Sequence, residues 1–326
     1  MITAQELQDR YLIIATNEAQ GAGRKLFGRE PMPSPMGTIL VRYGELALKS
    51  RPVRMRFERT LIRNIEDLFV HAGEECLVER QWGRILLFAK DDARAGAILS
   101  RVFGVTSFSP ALECGSAMEE VSKTVAERSR EILRRGQSFA IRARRTGSHP
   151  YSSQELAAAV GAAVLKANEG KGIKVNLTKP DTELFVEVRQ KKAYNFVEKF
   201  PGPGGLPMGT QGRVVALLDG ENGAVAAWMM LKRGCRVIAV DGGPKAQAAL
   251  DMLLPWVPEL RLHKIDDASM AGLANFARRK KAEAIVLGLT YEELDKMIPG
   301  SPCPVLFPLC GLSDAEIGSL ARRIRQ

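Results

Sequence analysis

Residues 217–234 read LLDGENGAVAAWMMLKRG, the pattern of a buried strand, a glycine-containing turn and an apolar helix. A strand that hands over to a helix in this way aims N–H groups at whatever sits beyond the helix N-terminus, and an anion fits there. The turn, however, carries Asp219 and Glu221 around Gly220. A glutamate about 4 Å from one phosphate charge costs about 4 kcal/mol at an effective dielectric constant of 20, on the order of a thousandfold in affinity. These residues alone leave three readings open: a nucleotide site, a site that has lost its chemistry, or a plain turn. A second run, SFAIRARR (138–145), alternates so that Phe139, Ile141 and Ala143 share one face while Arg142 and Arg144 share the other. Arg145 and His149 follow, and Ser152 to Glu155 has the spacing of a capping box, which places Ser153 and its helix N–H groups within reach of a phosphate. A third run, RMRFERTLIRNIEDLFVHAG, has an apolar stripe (Phe57, Leu61, Ile65, Leu68, Phe69), with Arg56, Arg59 and Arg63 together on another face.

The elements needed to hold these residues can be read around them. A hydrophobic content of 45% over 326 residues supports two or three packed domains. No run of 18 apolar residues predicts a membrane span, and the N-terminus lacks the pattern of a secretory signal, so a cytoplasmic location is expected. The five cysteines (Cys76, Cys114, Cys235, Cys303, Cys310) show no zinc spacing and are expected as reduced thiols, with Cys303 and Cys310 buried near PVLFPL rather than carrying sulfur. His71 and His263 have no partner at ligand spacing and are expected to be structural. The net charge is +10, and residues 115–212 hold 16 basic against 10 acidic side chains, hence +6. That concentration points to a polyanion, nucleic acid before membrane.

Residues 1–36 read as an N-terminal extension, a short helix (about 4–18) followed by a Gly/Pro-rich linker. Residues 37–114 order as βαββαβ, the ferredoxin-like arrangement, with VTSFSPALEC as closing strand. Residues 115–200 carry a helix, the SFAIRARR strand, a second helix, and IKVNL and TELFVEVRQKKAYNF as strands that pair. Residues 201–213 are a Gly/Pro-rich linker in which Gly202, Gly204 and Gly205 allow close backbone packing between domains. Residues 214–326 read as a short parallel α/β unit with a helix from Gly223 to Arg233.

Four collinear stretches then carry a resemblance over roughly residues 37–326: RYGELALKSRPVRMRFERTLIRNI, FAIRARRTGSHPYSSQELAAAVGAAV, PDTELFVEVRQKKAYNF leading into GPGGLPMGTQGR, and PVLFPLCGLSDAEIGSLARRI. The chain resembles the tRNA 4-thiouridine synthetases (tRNA sulfurtransferases). The resemblance implies a multidomain α/β and α+β fold: a ferredoxin-like domain, a THUMP RNA-binding domain and a shortened PP-loop ATP pyrophosphatase-type domain with a parallel sheet. It also implies RNA contacts at Lys49, Arg54, Arg56, Arg59, Arg142, Arg144, Arg145, His149 and Ser153.

The chain departs from the family at three places. Where the family has S-G-G-x-D-S, this chain has Asp219-Gly220-Glu221-Asn222-Gly223-Ala224, and the path to Trp228 is one residue shorter. Where the family has a loop ending in S-Q-T, this chain reads VLGLTYEELDKM, keeping only Gly288. The segment LHKIDDASMAGLANFARRKKAEA has no counterpart of the family's catalytic cysteine. The expected pocket of Leu217, Leu218, Asp219, Gly220, Glu221 and Gly288 is therefore a degenerate nucleotide site without catalytic or metal-binding residues. The first expectation is a tRNA-binding protein that needs no cofactor. The second is an active enzyme using ATP and Mg²⁺ to adenylate uridine 8 and replace its oxygen with sulfur supplied through a cysteine desulfurase. The third is a non-catalytic subunit, as a homodimer or beside a separate tRNA-modifying enzyme.

Overall fold

Strand β1 (Gly37–Tyr43) alternates, with Ile39, Val41 and Tyr43 on one face and Leu40 on the other. The computed structural model describes residues 37–44, 50–81, 83–267, 269–294 and 303–325; Lys49 and residues 1–36 lie outside them. Helix α1 (Arg51–His71) has Pro52 in its first turn, where a missing N–H leaves no bond unmade. It buries Phe57, Leu61, Ile65 and Phe69, one stripe at four-residue spacing, and Gly73 follows its end with φ +70°. Strands β2 (Cys76–Gln81) and β3 (Arg84–Ala89) form a hairpin. Helix α2 (Asp92–Leu99) is capped by Asp91, whose carboxylate accepts the N–H groups of Ala93 and Arg94 at 2.9 and 3.0 Å. Strand β4 (Val105–Gly115) completes the expected βαββαβ order.

The second unit contains α3 (Met118–Ile132), β5 (Ser138–Thr146), α4 (Ser153–Ala167), β6 (Lys174–Val175), β7 (Thr182–Arg189) and β8 (Lys192–Phe196). Two expectations need correction. Strand β6 pairs in parallel with β5, not with the 182–196 run, which folds as a hairpin on itself around Gln190 (φ +50°). Strand β4 is also not a closing edge. Its residues 105–111 pair with β1 and residues 112–115 pair with β8, with Pro110, which has no N–H to donate, near the hand-over. The two units therefore share one sheet of order β2-β3-β1-β4-β8-β7-β5-β6, with β9 (Phe200–Pro201) added on β4. Helices α1 and α2 pack on the first half and α3 and α4 on the second, each with its own apolar cluster.

The last unit runs β10 (Arg213–Leu218), α5 (Glu221–Lys232), β11 (Arg236–Asp241), α6 (Ala246–Leu253), β12 (Leu262–His263), α7 (Met270–Arg279), β13 (Ala284–Val286), α8 (Tyr291–Leu294), β14 (Val305–Leu306) and α9 (Asp314–Arg325). Its five strands are all parallel, in the order β12-β11-β10-β13-β14. Helix α5 begins at Glu221, two residues earlier than the pattern predicts, because Gly220 takes the cap position. The Gly/Pro-rich connection is closely packed: a Cβ on Gly205 would lie 2.1 Å from the Lys232 carbonyl oxygen, and one on Gly202 2.3 Å from that of Val105. Phe103, from the first unit, inserts into the core of the last, stacked on Trp256 at 5.2 Å and edge-on to Trp228 at 5.6 Å. Among the described residues, no helix is long and apolar enough to cross a membrane.

Candidate nucleic-acid interface and strand-to-helix crevice

Alternation along β5 delivers Arg142 and Arg144 to the face of the sheet opposite α3 and α4. Arg142 is held: its Nε meets Glu183 Oε1 at 2.6 Å and its Nη2 donates to the Leu177 carbonyl at 2.9 Å. Arg144 and Arg145 are exposed, and Arg145 Nη1 donates to the Gly147 carbonyl at 3.2 Å. His149 is half-buried; its ring stacks on Tyr151 at 5.6 Å, and its Nε2 lies 3.2 Å from the Thr146 carbonyl oxygen. Tyr151 in turn donates to the Ser116 carbonyl, which fixes that stack. The capping box is formed: Ser152 Oγ accepts the Glu155 N–H at 3.1 Å, and Ser152 N–H donates to Glu155 Oε2 at 2.7 Å. Ser153 is the first helical residue.

On α1 the expected arginine face divides. Arg56 and Arg59 are exposed, Arg56 lying over the Phe57 ring at 5.3 Å. Arg54 is turned away from them and approaches Glu58, one helical turn on, at 4.0 Å. Glu58 is 4% exposed, accepts the Tyr43 hydroxyl and pairs with Arg80 at 3.3 Å. Burial and the Glu58 carboxylate push the Tyr43 hydroxyl pKa well above its ordinary value. Arg54 thus helps line a cavity of about 420 Å³ with Arg51, Met55, Glu58, Arg80 and Gln81.

Other cations on the sheet are not evident from the sequence motifs. Arg42 (β1), Arg84 (β3), Arg189 (β7) and Lys199 gather around Glu187 of β7, which stands beside Arg144 in the β5–β7 register. Arg84 Nε lies 3.0 Å from Glu187 Oε1, and Arg189 Nη2 lies 2.6 Å from the same oxygen. In a flat sheet β3 and β7, four strands apart, would be separated by roughly 19 Å. The contact therefore requires the two halves to bend toward each other about β4. Leu40 and Leu86 of the first half consequently bury Tyr194 and Phe196 of the second, in a cluster built only from strand residues. Arg42 lies over the Phe196 ring at 4.6 Å, and Lys199 Nζ lies 3.6 Å from the Phe185 ring centroid. Burial, with Arg84, Arg144 and Arg189 close by, lowers the Arg42 pKa to about 10 despite the attraction of Glu187. Alternation in LVRY and LFVEVR puts Arg42, Glu187 and Arg189 on uncovered faces, but only the shared sheet makes those faces one.

The second site lies at the carboxyl ends of β10, β11 and β13, where open parallel sheets receive ligands. Leu218 is fully buried in the core, and Leu217 packs half-buried against the α7 side. Asp219 and Gly220 make the turn, with Gly220 at φ +153°. Glu221 is the first residue of α5, and its carboxylate is paired with Arg325 of α9. A Cβ on Gly288 would lie 2.4 Å from the Gly223 nitrogen, so the loop after β13 rests directly on the first turn of α5. The Gly242 N–H braces the other side, donating to the Leu218 carbonyl at 3.0 Å. Partial burial, helped by Glu293 and opposed by a hydrogen bond from its own backbone, raises the Asp219 pKa above its ordinary value. Of the two acids, Glu221 is the one in the first turn of α5, at the positive end of its dipole. The cysteines also need correction. Leu309 takes the buried position and Cys310 is exposed, while Cys303 is half-buried with its Sγ 3.9 Å from the Glu283 carbonyl oxygen. Among the described residues, no group of three or more His, Cys, Asp or Glu is placed to hold a metal ion.

Three family models match the chain: the ThiI ferredoxin-like domain over residues 38–109, the THUMP domain over 116–198, and Thiamine biosynthesis protein (ThiI) over 209–248. A probable tRNA sulfurtransferase of Methanobrevibacter smithii is 42% identical over 334 residues, covering 88% of this chain and 86% of its own length. The crystal structure of a 4-thiouridine synthetase–RNA complex with bound ATP is similar over 89% of this chain and 85% of that chain, with a TM-score of 0.73 and 28% identity. A protein of Pyrococcus horikoshii Ot3 is similar over 89% of this chain and 100% of its own, with a TM-score of 0.75 and 30% identity.

Proposed function

Because the chain belongs to the tRNA sulfurtransferase family, we propose that it binds tRNA on its first two units and does not by itself activate uridine with ATP. The observation that carries this reading is the turn that opens α5: residues 219–224 read DGENGA, with no hydroxyl side chain, and Glu221, paired with Arg325, stands at the first helical position where a phosphate would have to approach. RNA binding is supported by the cations that two units bring to one face and by the relative captured with RNA. Arg144, Arg145, Arg56, Arg59 and Lys199 are the groups we assign to phosphates, and the THUMP unit would read shape and backbone rather than base sequence. We place the domains at 37–114, 115–200 and 214–326, joined by the 201–213 connection.

A second reading, an active sulfurtransferase, is favoured by the relative with ATP bound and by the name of the 42% identical relative. Two measurements decide between them. Calorimetric titration with ATP–Mg²⁺ and, separately, with tRNA reads binding. Incubation with tRNA, ATP, Mg²⁺ and a sulfur donor reads pyrophosphate and thiolated uridine. Tight tRNA binding with neither ATP binding nor product is expected. Micromolar ATP affinity, or tRNA-dependent AMP formation, would promote the enzyme reading. Product only after a second protein is added would make the chain a subunit.

A further inference from the structure

The bend between the two half-sheets brings Arg42 and Arg84 of the first unit onto the face that carries Arg144, Arg189 and Lys199 of the second. Like charges drive such a face apart, and one buried carboxylate stands among them. Glu187 is 5% exposed and reaches both units: Arg84 from β3 at 3.0 Å and Arg189 from its own strand at 2.6 Å. Arg84 also donates from Nη2 to Glu187 Oε2 at 3.4 Å, so the carboxylate is gripped through both oxygens. Around it the interlock is otherwise apolar or neutral: Leu40, Leu86, Tyr194 and Phe196 pack together, and Gln81 Nε2 donates to the Tyr194 hydroxyl at 3.2 Å. A carboxylate in the middle of a polyanion-binding face is unfavourable for the ligand. Its place here is explained if it holds the cations of the two units in one arrangement.

We propose that Glu187 is a positioning residue for RNA binding: by clamping Arg84 of the first unit against Arg189 of the second, it fixes the bend of the shared sheet and so the spacing of the cations that contact RNA phosphates. This inference rests on the RNA-binding reading above. It makes a prediction of opposite sign to charge counting. Glu187→Gln adds one net positive charge, so a mere bystander acid would, on removal, tighten RNA binding and steepen its salt dependence. A positioning residue would, on removal, weaken it.

The test measures affinity of the full-length protein for a tRNA transcript by fluorescence anisotropy across a salt series, with thermal melting as the folding control. For Glu187→Gln, binding is expected to weaken about fivefold to twentyfold, and the slope of log K against log salt to flatten by roughly one, as contacts to phosphates are lost. Glu187→Asp keeps the charge and shortens the reach by one methylene, so it decides the matter if the Gln variant does not fold. It is expected to weaken binding about threefold while leaving the net charge, and hence the long-range attraction, unchanged. Arg84→Gln added to Glu187→Gln should cost little more, because the two act as one unit. Tighter binding by Glu187→Gln, or wild-type affinity and slope in Glu187→Asp, overturns the proposal. Absence of salt-dependent tRNA binding by the wild-type chain would instead remove the RNA reading itself, and this inference with it.

Discussion

Two carboxylates, the buried Glu187 and the exposed Asp219, are shifted in opposite directions, and the contrast separates the two halves of the molecule. Loss of solvent around the carboxyl pushes both up, at Asp219 only in part. At Glu187 the charges of Arg84, Arg189 and Arg42 outweigh burial and hold the carboxyl below its usual range. At Asp219 burial outweighs a hydrogen bond from its own backbone, and Glu293 adds to it. The first acid sits among an excess of positive charge from Arg42, Arg84, Arg144, Arg189 and Lys199. The second sits in a crevice whose other acid, Glu221, is paired with Arg325. A polyanion surface is distributed, and many arrangements of cations serve it. A nucleotide site is a turn of a few residues, and under the inactive reading proposed above its chemistry is lost while the packing stays. The α5 helix still buries Ala226, Ala227, Trp228 and Leu231, so the last unit keeps its sheet whatever the loop contains.

The largest effect is expected where the two halves are joined. Phe103→Ala empties the stack on Trp256 and Trp228 and should destabilise the last unit by about 3–5 kcal/mol, the usual cost of deleting a buried phenyl ring. If the last unit is scaffold, the variant's tRNA affinity at 25 °C should stay within about twofold of wild type, since no phosphate contact is lost. Chemical denaturation followed by tryptophan fluorescence reads the first quantity and anisotropy the second. A large loss of tRNA affinity in folded protein would mean that the last unit shares the RNA site.

Next in size is the cationic face. Replacing Arg142 and Arg144 with Ala should weaken binding to all tRNAs about tenfold and flatten the salt slope by roughly one to two units. Arg144 should carry most of this, because Arg142 is engaged with Glu183 and the Leu177 carbonyl. Unchanged affinity in the double variant would take this strand out of the interface.

The sequence made some of this legible and not the rest, for physical reasons. Helices α1 and α5 are visible because one stripe, or nearly the whole surface, is apolar. The capping box at Ser152 is visible because it is local. Strands β6, β12 and β14 have two residues each, too few for any period, and the partner of β6 is a matter of topology. Arg84 and Glu187 meet only because β4 serves two sheets' worth of partners, which no spacing announces. The division of the α1 arginines was within reach: Arg54 and Glu58 are four residues apart, the spacing of a helical pair, whereas Arg56 and Arg59 lie on the other side.

A smaller effect is expected from pH. The folded-state pKa of Asp219 is raised, so its contribution to stability is fully present below the unfolded carboxyl value, about 3.9, and is lost as pH rises through the folded value. The sign is reversed at Glu187, whose lowered pKa gives stability above the unfolded value that is lost as pH falls. Asp219→Asn should therefore stabilise the last unit at pH 7 relative to wild type and show a smaller advantage at pH 4. Urea midpoints at the two pH values read this. Parallel curves for the two proteins would show that Asp219 is no more buried in effect than an ordinary surface carboxyl.

The smallest effect is expected at the residue that motivates the inactive reading. Taken alone, a glutamate beside a phosphate costs about 4 kcal/mol, and its removal should then restore ATP binding about a thousandfold. The structure argues otherwise. Arg325 already neutralises much of the Glu221 charge, so the net field at the helix end is that of a pair rather than of a lone anion. The change restores neither a hydroxyl nor a metal-compatible aspartate to the turn. Glu221→Gly should accordingly change ATP–Mg²⁺ affinity by less than about threefold, within the range of a surface ion pair. It should also cost up to about 1 kcal/mol of helix stability, the usual penalty for glycine within a helix. Because the change uncovers Arg325, the variant is compared with one that also carries Arg325→Ala, so that a weak non-specific attraction is not read as a site. A gain of tenfold or more that survives Arg325→Ala would show that charge alone closes the crevice, and that the last unit is one substitution from binding a nucleotide.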